Sequence, residues 1–186
     1  MVYALIDRET LERRDVSLKS LLSRIRSLPF PVPLLQYRDK IGSLEEKREA
    51  LRMIREGYGG KIIINDTIAL IDDADGIHLG QEDLRHFAEE MADAAEVVRG
   101  RIGKKLFGLS THNAAEIEEA NSLAIDYIGL GAYRSTATKS DAEAKGSALL
   151  EIAKGSRHPV AIIGGVRLDD SFGSSIAYRV VGSDLY

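Results

Sequence analysis

The chain has 186 residues, a length that predicts a single domain over residues 1–186. Its formal net charge of −4 at pH 7 gives no general attraction to nucleic acid or an anionic membrane. The lack of cysteine excludes a disulfide framework and a thiolate metal site. No apolar run approaches the ~20 residues of a membrane span, and the sequence does not begin with a signal-peptide pattern, so a cytoplasmic location is expected.

Short apolar runs rich in Val, Ile and Leu recur along the chain, separated by longer segments of helical period. They lie at residues 2–6, 32–37, 61–64, 76–79, 106–109, 127–130, 159–163 and 178–181. Apolar runs without strict alternation are typical of parallel strands covered on both faces, and their alternation with helical segments indicates βα units. Eight such units predict a closed (β/α)8 barrel, the TIM barrel.

Four of the intervening segments have an apolar face at helical spacing, which predicts helices packed on the sheet. Ser43 and Glu46 form a capping-box pattern before the second of them, and Gly57 suits its end. The four faces consist of Leu18, Leu21, Leu22, Ile25 and Leu28; of Ala50, Leu51 and Ile54; of Leu84, Phe87, Ala88, Met91, Ala95 and Val98; and of Ile117, Ala120 and Leu123.

The predicted barrel is trimmed at its end, since ~250 residues are typical of this fold. Nothing after the eighth strand forms a final outer helix, and the segment after Val166 has only a weak apolar pattern around Leu168, Phe172 and Ile176. An uncovered apolar wall usually marks an interface. A homodimer through that wall is therefore expected.

Polar or glycine groups follow nearly every predicted strand. Strand two ends in "QYRDK", strand three in "ND", strand four in "GQED" and strand five in "STH"; strand six leads into "RSTATK", strand seven into "GG" and strand eight into "GSD". The carboxyl ends of the strands converge on one face of a (β/α)8 barrel, where its active site is built. These groups therefore predict one shared pocket.

The residue types in that pocket favour phosphate ligands. Arg38, Lys40 and Lys139 supply cationic donors. Asp66 and Asp83 supply hard oxygen ligands, as expected if Mg²⁺ bridges them to a pyrophosphate. The loops after strands seven and eight are a common second phosphate site in such barrels.

Each group also has an ordinary structural explanation when taken alone. Asn65 and Asp66, or Ser110, can be helix caps; Asp83 can be a charge at a helix N-terminus; and His112 can be a surface histidine. The remaining ambiguous residues, which can be a solvated strand end, a loop or a turn, are Gln36, Arg38, Asp39, Lys40, Thr136, Thr138, Lys139, Gly164 and Gly165.

The motifs together resemble the thiamine phosphate synthase family, in the superfamily that also contains thiazole tautomerases. "QYRDK" resembles its Gln-x-Arg-x-Lys, "IIINDTIAL" its Asn-Asp strand end, "ADGIHLGQEDL" its most specific block, "DYIGLGAYRSTATK" its Thr-x-Thr-Lys segment and "PVAIIGGV" its glycine pair. The resemblance runs through almost the whole chain and in the same order.

The resemblance implies a Mg²⁺-dependent transferase that couples hydroxymethylpyrimidine pyrophosphate with thiazole phosphate, giving thiamine phosphate and pyrophosphate. It assigns Mg²⁺ to Asp66 and Asp83, and the catalytic roles to Arg38, Lys40, Lys139 and Ser110, the three cations holding the pyrophosphate. It assigns the pyrimidine to Gln36, Asn65 and Ser110, and the thiazole phosphate to Thr136, Thr138, Gly165, Gly182 and Ser183.

The sequence also departs from the family pattern. Ala132 and Arg134 stand where the family has prolines, and "VVGSDL" replaces the usual end of strand eight, so the thiazole side of the pocket is expected to differ. Two alternatives stay open: a thiazole tautomerase with His112 as the proton carrier, and a non-catalytic pyrimidine pyrophosphate-binding or regulatory protein.

Overall fold

The computed structural model describes residues 1–134 and 146–186. Its strands are all parallel and close into a barrel in chain order, with Tyr3 of the first strand paired with Val180 of the last. The strands are β1 Val2–Asp7, β2 Leu34–Arg38, β3 Lys61–Asn65, β4 Gly76–Leu79, β5 Leu106–Thr111, β6 Tyr127–Leu130, β7 Val160–Ile162 and β8 Tyr178–Val181. The predicted strands and the barrel are thereby confirmed.

Helices cover the outside of the barrel. They are α1 Arg8–Arg13, α2 Leu18–Arg26, α3 Leu44–Gly57, α4 Gln81–Arg85, α5 Met91–Ile102, α6 Ala114–Ala120 and α7 Ser147–Ile152, with 3-10 turns at Ile68–Asp73, Ala153–Gly155 and Ser183–Leu185. The capping box predicted for α3 is present, because Ser43 Oγ accepts from Glu46 N–H and the Glu46 carboxylate accepts from Ser43 N–H.

The longest predicted apolar stripe is divided between two helices. α4 ends at Arg85 and α5 begins at Met91, and residues 86–90 join them without helical structure. Leu84 and Met91 on either side of the break are both buried in the same core. The apolar period continues across the break because both helices pack on the barrel, so periodicity alone did not separate them.

Side chains alternate between the inside and the outside of the barrel, as the period of a strand requires. Tyr3, Leu34, Ile63, Ala161 and Val180 pack together inside it, while their neighbours along each strand pack beneath the helices. The same alternation continues towards the carboxyl ends of the strands. It places the polar strand-end side chains around the mouth of the barrel.

The wall around β7 and β8 is built differently. Residues 163–177, all of them described, contain no α-helix, and after β8 only the turn Ser183–Leu185 follows. Leu168, Phe172 and Ile176 lie partly buried against the core, and Phe172 packs edge-on against Tyr133 with 5.2 Å between ring centroids. The weak apolar pattern after Val166 thus forms no α-helix between β7 and β8, and homodimerisation through this wall stays a prediction. None of the helices in the described ranges is long and apolar enough to cross a membrane.

Candidate active site

A cavity of about 190 Å³ opens at the carboxyl ends of the strands. Of the residues that the sequence predicts for the site, the cavity is lined by Gln36, Arg38, Asn65, Ser110, His112, Gly165, Gly182 and Ser183. Strand-end residues far apart in the chain therefore meet in one pocket, but Lys40, Asp66 and Asp83 are not among the residues that line it. Thr136, Thr138 and Lys139 lie outside the described residues.

Arg38 is held in the cavity wall by a buried carboxylate that the sequence analysis missed. Asp7, 5% exposed, accepts a hydrogen bond from Arg38 Nη1 at 2.5 Å. Its other oxygen caps α1 by accepting from the Thr10 N–H and hydroxyl at 2.9 and 2.7 Å. A guanidinium has several more N–H donors, so Arg38 is fixed in place and can still bind an anion.

Asp7 is itself enclosed by the last residue of the chain. The Tyr186 hydroxyl accepts from Asp7 N–H at 2.7 Å and donates to the Asp7 carbonyl at 3.2 Å. Burial raises the pKa of Tyr186 to about 12, so the phenol keeps its proton at neutral pH. Tyr186 also lines the cavity.

Four polar side chains from β2, β3 and their loops form a connected group beside Arg38. Gln36 Nε2 donates to Asn65 Oδ1 at 3.0 Å. Asn65 Nδ2 and Lys40 Nζ both donate to Asp66 Oδ2, and Asp66 has a left-handed backbone with φ of 57°. The 3-10 turn that follows has Thr67 at its N-cap and no side-chain cap, so the interpretation of Asn65 and Asp66 as helix caps is wrong.

The two candidate metal ligands follow adjacent strands. Asp66 comes directly after β3, and Asp83 lies in the first turn of α4 after β4. Gly80 leaves room for the Asp83 carboxylate, because a Cβ on residue 80 would lie 2.7 Å from Asp83 Oδ2. Within residues 1–134 and 146–186 no cluster of three or more His, Asp or Glu side chains is suited to a metal. Two carboxylates completed by phosphate oxygens are nevertheless a usual donor set for Mg²⁺.

Ser110 lies near the end of β5, and His112 is the first residue after the strand. The cap of α6 is Asn113, whose Oδ1 accepts from Glu116 N–H at 2.9 Å, so Ser110 is not a helix cap. Ser110 Oγ instead lies 3.0 Å from His78 Nε2. His112 lies at the cavity wall with its Nδ1 2.9 Å from Glu116 Oε2.

The glycine pair after β7 bends the chain sharply towards β6. Gly164 and Gly165 have φ of 95° and 62°, in the region that favours glycine. A Cβ on Gly164 would lie 2.6 Å from Ala132 Cβ, so only glycine allows these two loops to approach so closely. Gly165, which is partly exposed, lines the cavity with Gly182 and Ser183 of the neighbouring strand end.

Asp39, the acidic residue of "QYRDK", stabilises the loop after β2. Its oxygens accept from Gly42 N–H at 2.7 Å, Ile41 N–H at 3.0 Å, the Tyr37 hydroxyl at 3.1 Å and Arg8 Nη1 at 3.2 Å. Burial alone raises the pKa of such a carboxyl, but these donors outweigh burial and the pKa of Asp39 lies below its usual value. Asp39 is therefore a structural member of the motif.

Replacing Asp39 with Asn is expected to reduce the free energy of unfolding at pH 7 by about 1 to 3 kcal/mol, because the charged acceptor is lost. The folded pKa lies below the unfolded value of about 4, so the stabilisation is present above that pH and declines as the pH falls through the folded pKa. Urea unfolding of wild type and Asp39→Asn, from pH 7 towards pH 2, measures the gap. An Asp72→Asn variant, changed at an exposed site, is the matched control, and a gap that stays constant across this range contradicts the assignment.

Sequence comparison with known proteins identifies the family. Residues 2–172 match the family model described as thiamine monophosphate synthase. A thiamine-phosphate synthase of Persephonella marina is 36% identical over 172 residues, covering 89% of this chain and 76% of the relative. That of Parasynechococcus marenigrum is 41% identical over 154 residues, covering 78% of this chain, which matches only 42% of the relative's length.

A solved structure with the same fold is that of a thiamine phosphate pyrophosphorylase from Pyrococcus furiosus. The TM-score is 0.76, with 98% of this chain and 85% of the other covered. Its sequence is 22% identical, so this likeness bears on the fold alone.

Proposed function

The chain belongs to the thiamine monophosphate synthase family, and on that premise we propose that it couples hydroxymethylpyrimidine pyrophosphate with thiazole phosphate to give thiamine phosphate and pyrophosphate. The observation that carries the proposal is the pocket itself. It has a fixed guanidinium, Arg38, in the wall formed by β2, and the partly exposed glycines Gly165 and Gly182 in the wall formed by β7 and β8. Two phosphate-bearing ligands can therefore meet in it.

The pyrophosphate belongs on the Arg38 side. Asp7 orients Arg38, and Lys40 pairs with Asp66, whose neighbour Asn65 lines the same cavity as Arg38. The amide groups of Gln36 and Asn65, with the Ser110 hydroxyl, supply the donors and acceptors that an aminopyrimidine requires. We assign the first substrate to these residues, with Lys139 of the segment outside the described residues as a further cation.

The reaction forms one C–N bond and breaks one C–O bond. The thiazole nitrogen donates its lone pair to the methylene carbon of the pyrimidine, and the electron pair of the C–O bond leaves with pyrophosphate. Negative charge grows on the departing oxygen, where donors already in position stabilise it without reorganising. We assign that role to Arg38 and Lys40, and no covalent nucleophile on the chain is required.

Asp66 and Asp83 are the residues that would hold Mg²⁺. Both are hard carboxylate donors at the ends of adjacent strands, and the absence of a Cβ at Gly80 accommodates one of them. Bound there, Mg²⁺ would neutralise charge on the pyrophosphate. With Mg²⁺ on Asp66, Lys40, which pairs with that carboxylate in the structure, would be available to bind phosphate oxygens.

The thiazole phosphate belongs on the glycine side, where Arg134 reinforces the loop. Arg134 N–H donates to the Gly164 carbonyl at 2.9 Å and its Nη1 to the Gly165 carbonyl at 2.8 Å. Nη1 and Nη2 also bind both oxygens of Asp170, at 2.6 and 2.8 Å. Arg134, which stands where the family has a proline, thus holds the glycine pair in place through the two glycine carbonyls.

Replacing Arg134 with Lys is expected to raise KM for thiazole phosphate by about three- to tenfold. The lysine ammonium cannot reproduce the hydrogen bonds that the planar guanidinium makes to the Gly165 carbonyl and to both oxygens of Asp170. KM for the pyrimidine pyrophosphate should stay unchanged. Steady-state kinetics with each substrate varied in turn measure both values, with Arg157→Lys, changed at an exposed arginine, as the control. Equal increases in the two KM values would mean that Arg134 does not serve the thiazole side specifically.

The proposed function is tested by incubating the chain with both substrates and Mg²⁺ and detecting thiamine phosphate by mass spectrometry. Product above a heat-inactivated control supports the coupling reaction. Saturable binding of the pyrimidine pyrophosphate without product would favour the non-catalytic alternative instead. Isomerisation of the thiazole in the absence of the pyrimidine would favour the tautomerase, with His112 as its proton carrier.

A further inference from the structure

Four polar side chains inside the barrel form a continuous line of hydrogen bonds that ends at the pocket. The Tyr3 and Tyr127 hydroxyls lie 2.8 Å apart. The Tyr127 hydroxyl lies 3.1 Å from His78 Nδ1, and His78 Nε2 lies 3.0 Å from Ser110 Oγ. Ser110 and His78 line the cavity, so the line connects the interior of the barrel with the pocket.

The barrel interior is shaped to hold these rings. A Cβ on Gly108 would lie 2.2 Å from Tyr127 Cζ and 2.5 Å from His78 Nδ1, and a Cβ on Gly129 would lie 2.9 Å from His78 Cε1. Both glycines occupy inward positions of their strands, where any side chain would displace the imidazole or the phenol. The absence of side chains at Gly108 and Gly129 therefore leaves the space that the Tyr127 and His78 rings occupy.

The two phenols act only as neutral donors and acceptors. Tyr3 and Tyr127 are 1% and 3% exposed, and burial raises the pKa of both well above the usual value. Each phenol therefore carries one proton to donate at any physiological pH.

The number of available protons and acceptors decides which group donates in each hydrogen bond of the line. In the described part of the chain the Tyr3 hydroxyl has one hydrogen-bond partner, Tyr127. If each group donated towards the barrel interior, Tyr127 would donate to Tyr3, and the buried Tyr3 hydroxyl proton would lack an acceptor, which is unfavourable. If each group donates towards the pocket, Tyr3 donates to Tyr127, Tyr127 donates to His78 Nδ1, and His78 Nε2–H donates to Ser110.

We propose that this line fixes Ser110 as a hydrogen-bond donor to the pocket, with Tyr127 and His78 as positioning residues. Because Ser110 Oγ accepts from His78, its own proton is directed to the ligand. The site then selects a heterocycle that presents an acceptor, an unprotonated ring nitrogen, to Ser110. This specificity rests on the proposed function, whereas the direction of the hydrogen bonds does not.

The direction is tested by the tautomer of His78 in the full chain without substrates. Long-range ¹H–¹⁵N spectra of the ¹⁵N-histidine-labelled protein separate protonated from unprotonated ring nitrogens, and His78→Gln identifies the signal among the four histidines. We expect a protonated Nε2 and an unprotonated Nδ1. A protonated Nδ1 with an unprotonated Nε2 overturns the proposal, whether or not the chain turns over substrate.

The positioning role is tested with Tyr127→Phe, which removes the donor to Nδ1. We expect His78 to lose its single tautomer and KM for the pyrimidine pyrophosphate to rise by about three- to tenfold, as for one hydrogen bond, with KM for thiazole phosphate unchanged. Tyr178→Phe is the matched control, because its ring lies 6.4 Å from that of Tyr127 in the same cluster.

If Tyr127→Phe and Tyr178→Phe unfold at similar urea concentrations, a general loss of structure does not explain the effect of Tyr127→Phe. A Tyr127→Phe protein that keeps both the tautomer and the KM overturns the positioning role. Tautomer loss in a chain that never couples the substrates would leave the hydrogen-bond line standing and remove the proposed function alone.

Discussion

Replacing Asp83 with Asn is expected to reduce kcat/KM of the coupling reaction by roughly 100-fold or more, because the amide is a poorer ligand for Mg²⁺ than the carboxylate. The loss should be partly recovered at high Mg²⁺ concentration, since the defect is one of metal affinity. Asp83 is partly exposed at the start of a short helix, so stability should change little. A Mg²⁺ titration of the initial rate, with urea unfolding in parallel, measures both effects.

Glu82→Gln is the matched control for that variant. Glu82 is the exposed neighbour of Asp83 on α4, and its removal changes the net charge by the same amount. Its Mg²⁺ titration should overlay that of wild type. Equal losses in the two variants, or an Asp83→Asn titration unchanged from wild type, would remove Asp83 from the metal site.

Replacing Arg38 with Gln should reduce kcat/KM by ~100- to 1000-fold, the effect of removing one preorganised donor to a developing charge. Arg38→Lys keeps the charge but loses the planar fork, so its loss should be intermediate. Steady-state rates of the three proteins give the comparison. Arg52→Gln, at an exposed arginine on α3 paired with Glu49, controls for the loss of one positive charge.

The Arg38 variants also leave the buried Asp7 without its guanidinium partner, so stability must be followed separately. Asp7 keeps its hydrogen bonds to Thr10, and the fold is expected to persist with a lower urea midpoint. A large drop in stability with a normal rate at low temperature would make Arg38 a structural residue and contradict its role in catalysis.

The sequence predicted the barrel because strands and helices have different periods and these units alternate regularly. It also predicted the pocket, because in a parallel barrel every strand end faces the same rim. Gln36 of β2 and Gly182 after β8, far apart in the chain, line one cavity for that reason. Lys40 and Asp66 form a pair that the sequence predicted only as two separate ligands.

Asp7 and His78 were missed although signals for both exist in the sequence. Asp7 ends the first strand, so the strand-end argument applies to it as it does to Arg38. His78 lies in "GIHL", where Gly76 and His78 alternate with two apolar residues, and strand period places both inside the barrel. What period could not give is the register of β4 against β5, which sets His78 beside Ser110.

The most direct test of the central claim measures thiamine phosphate and pyrophosphate in the same samples after the chain has been incubated with hydroxymethylpyrimidine pyrophosphate and thiazole phosphate. One set contains Mg²⁺ and the other contains EDTA. We predict equal amounts of the two products with Mg²⁺ and neither with EDTA. Pyrophosphate without thiamine phosphate, or no product in either set, would contradict the coupling reaction, and equal product in both sets would contradict the magnesium site.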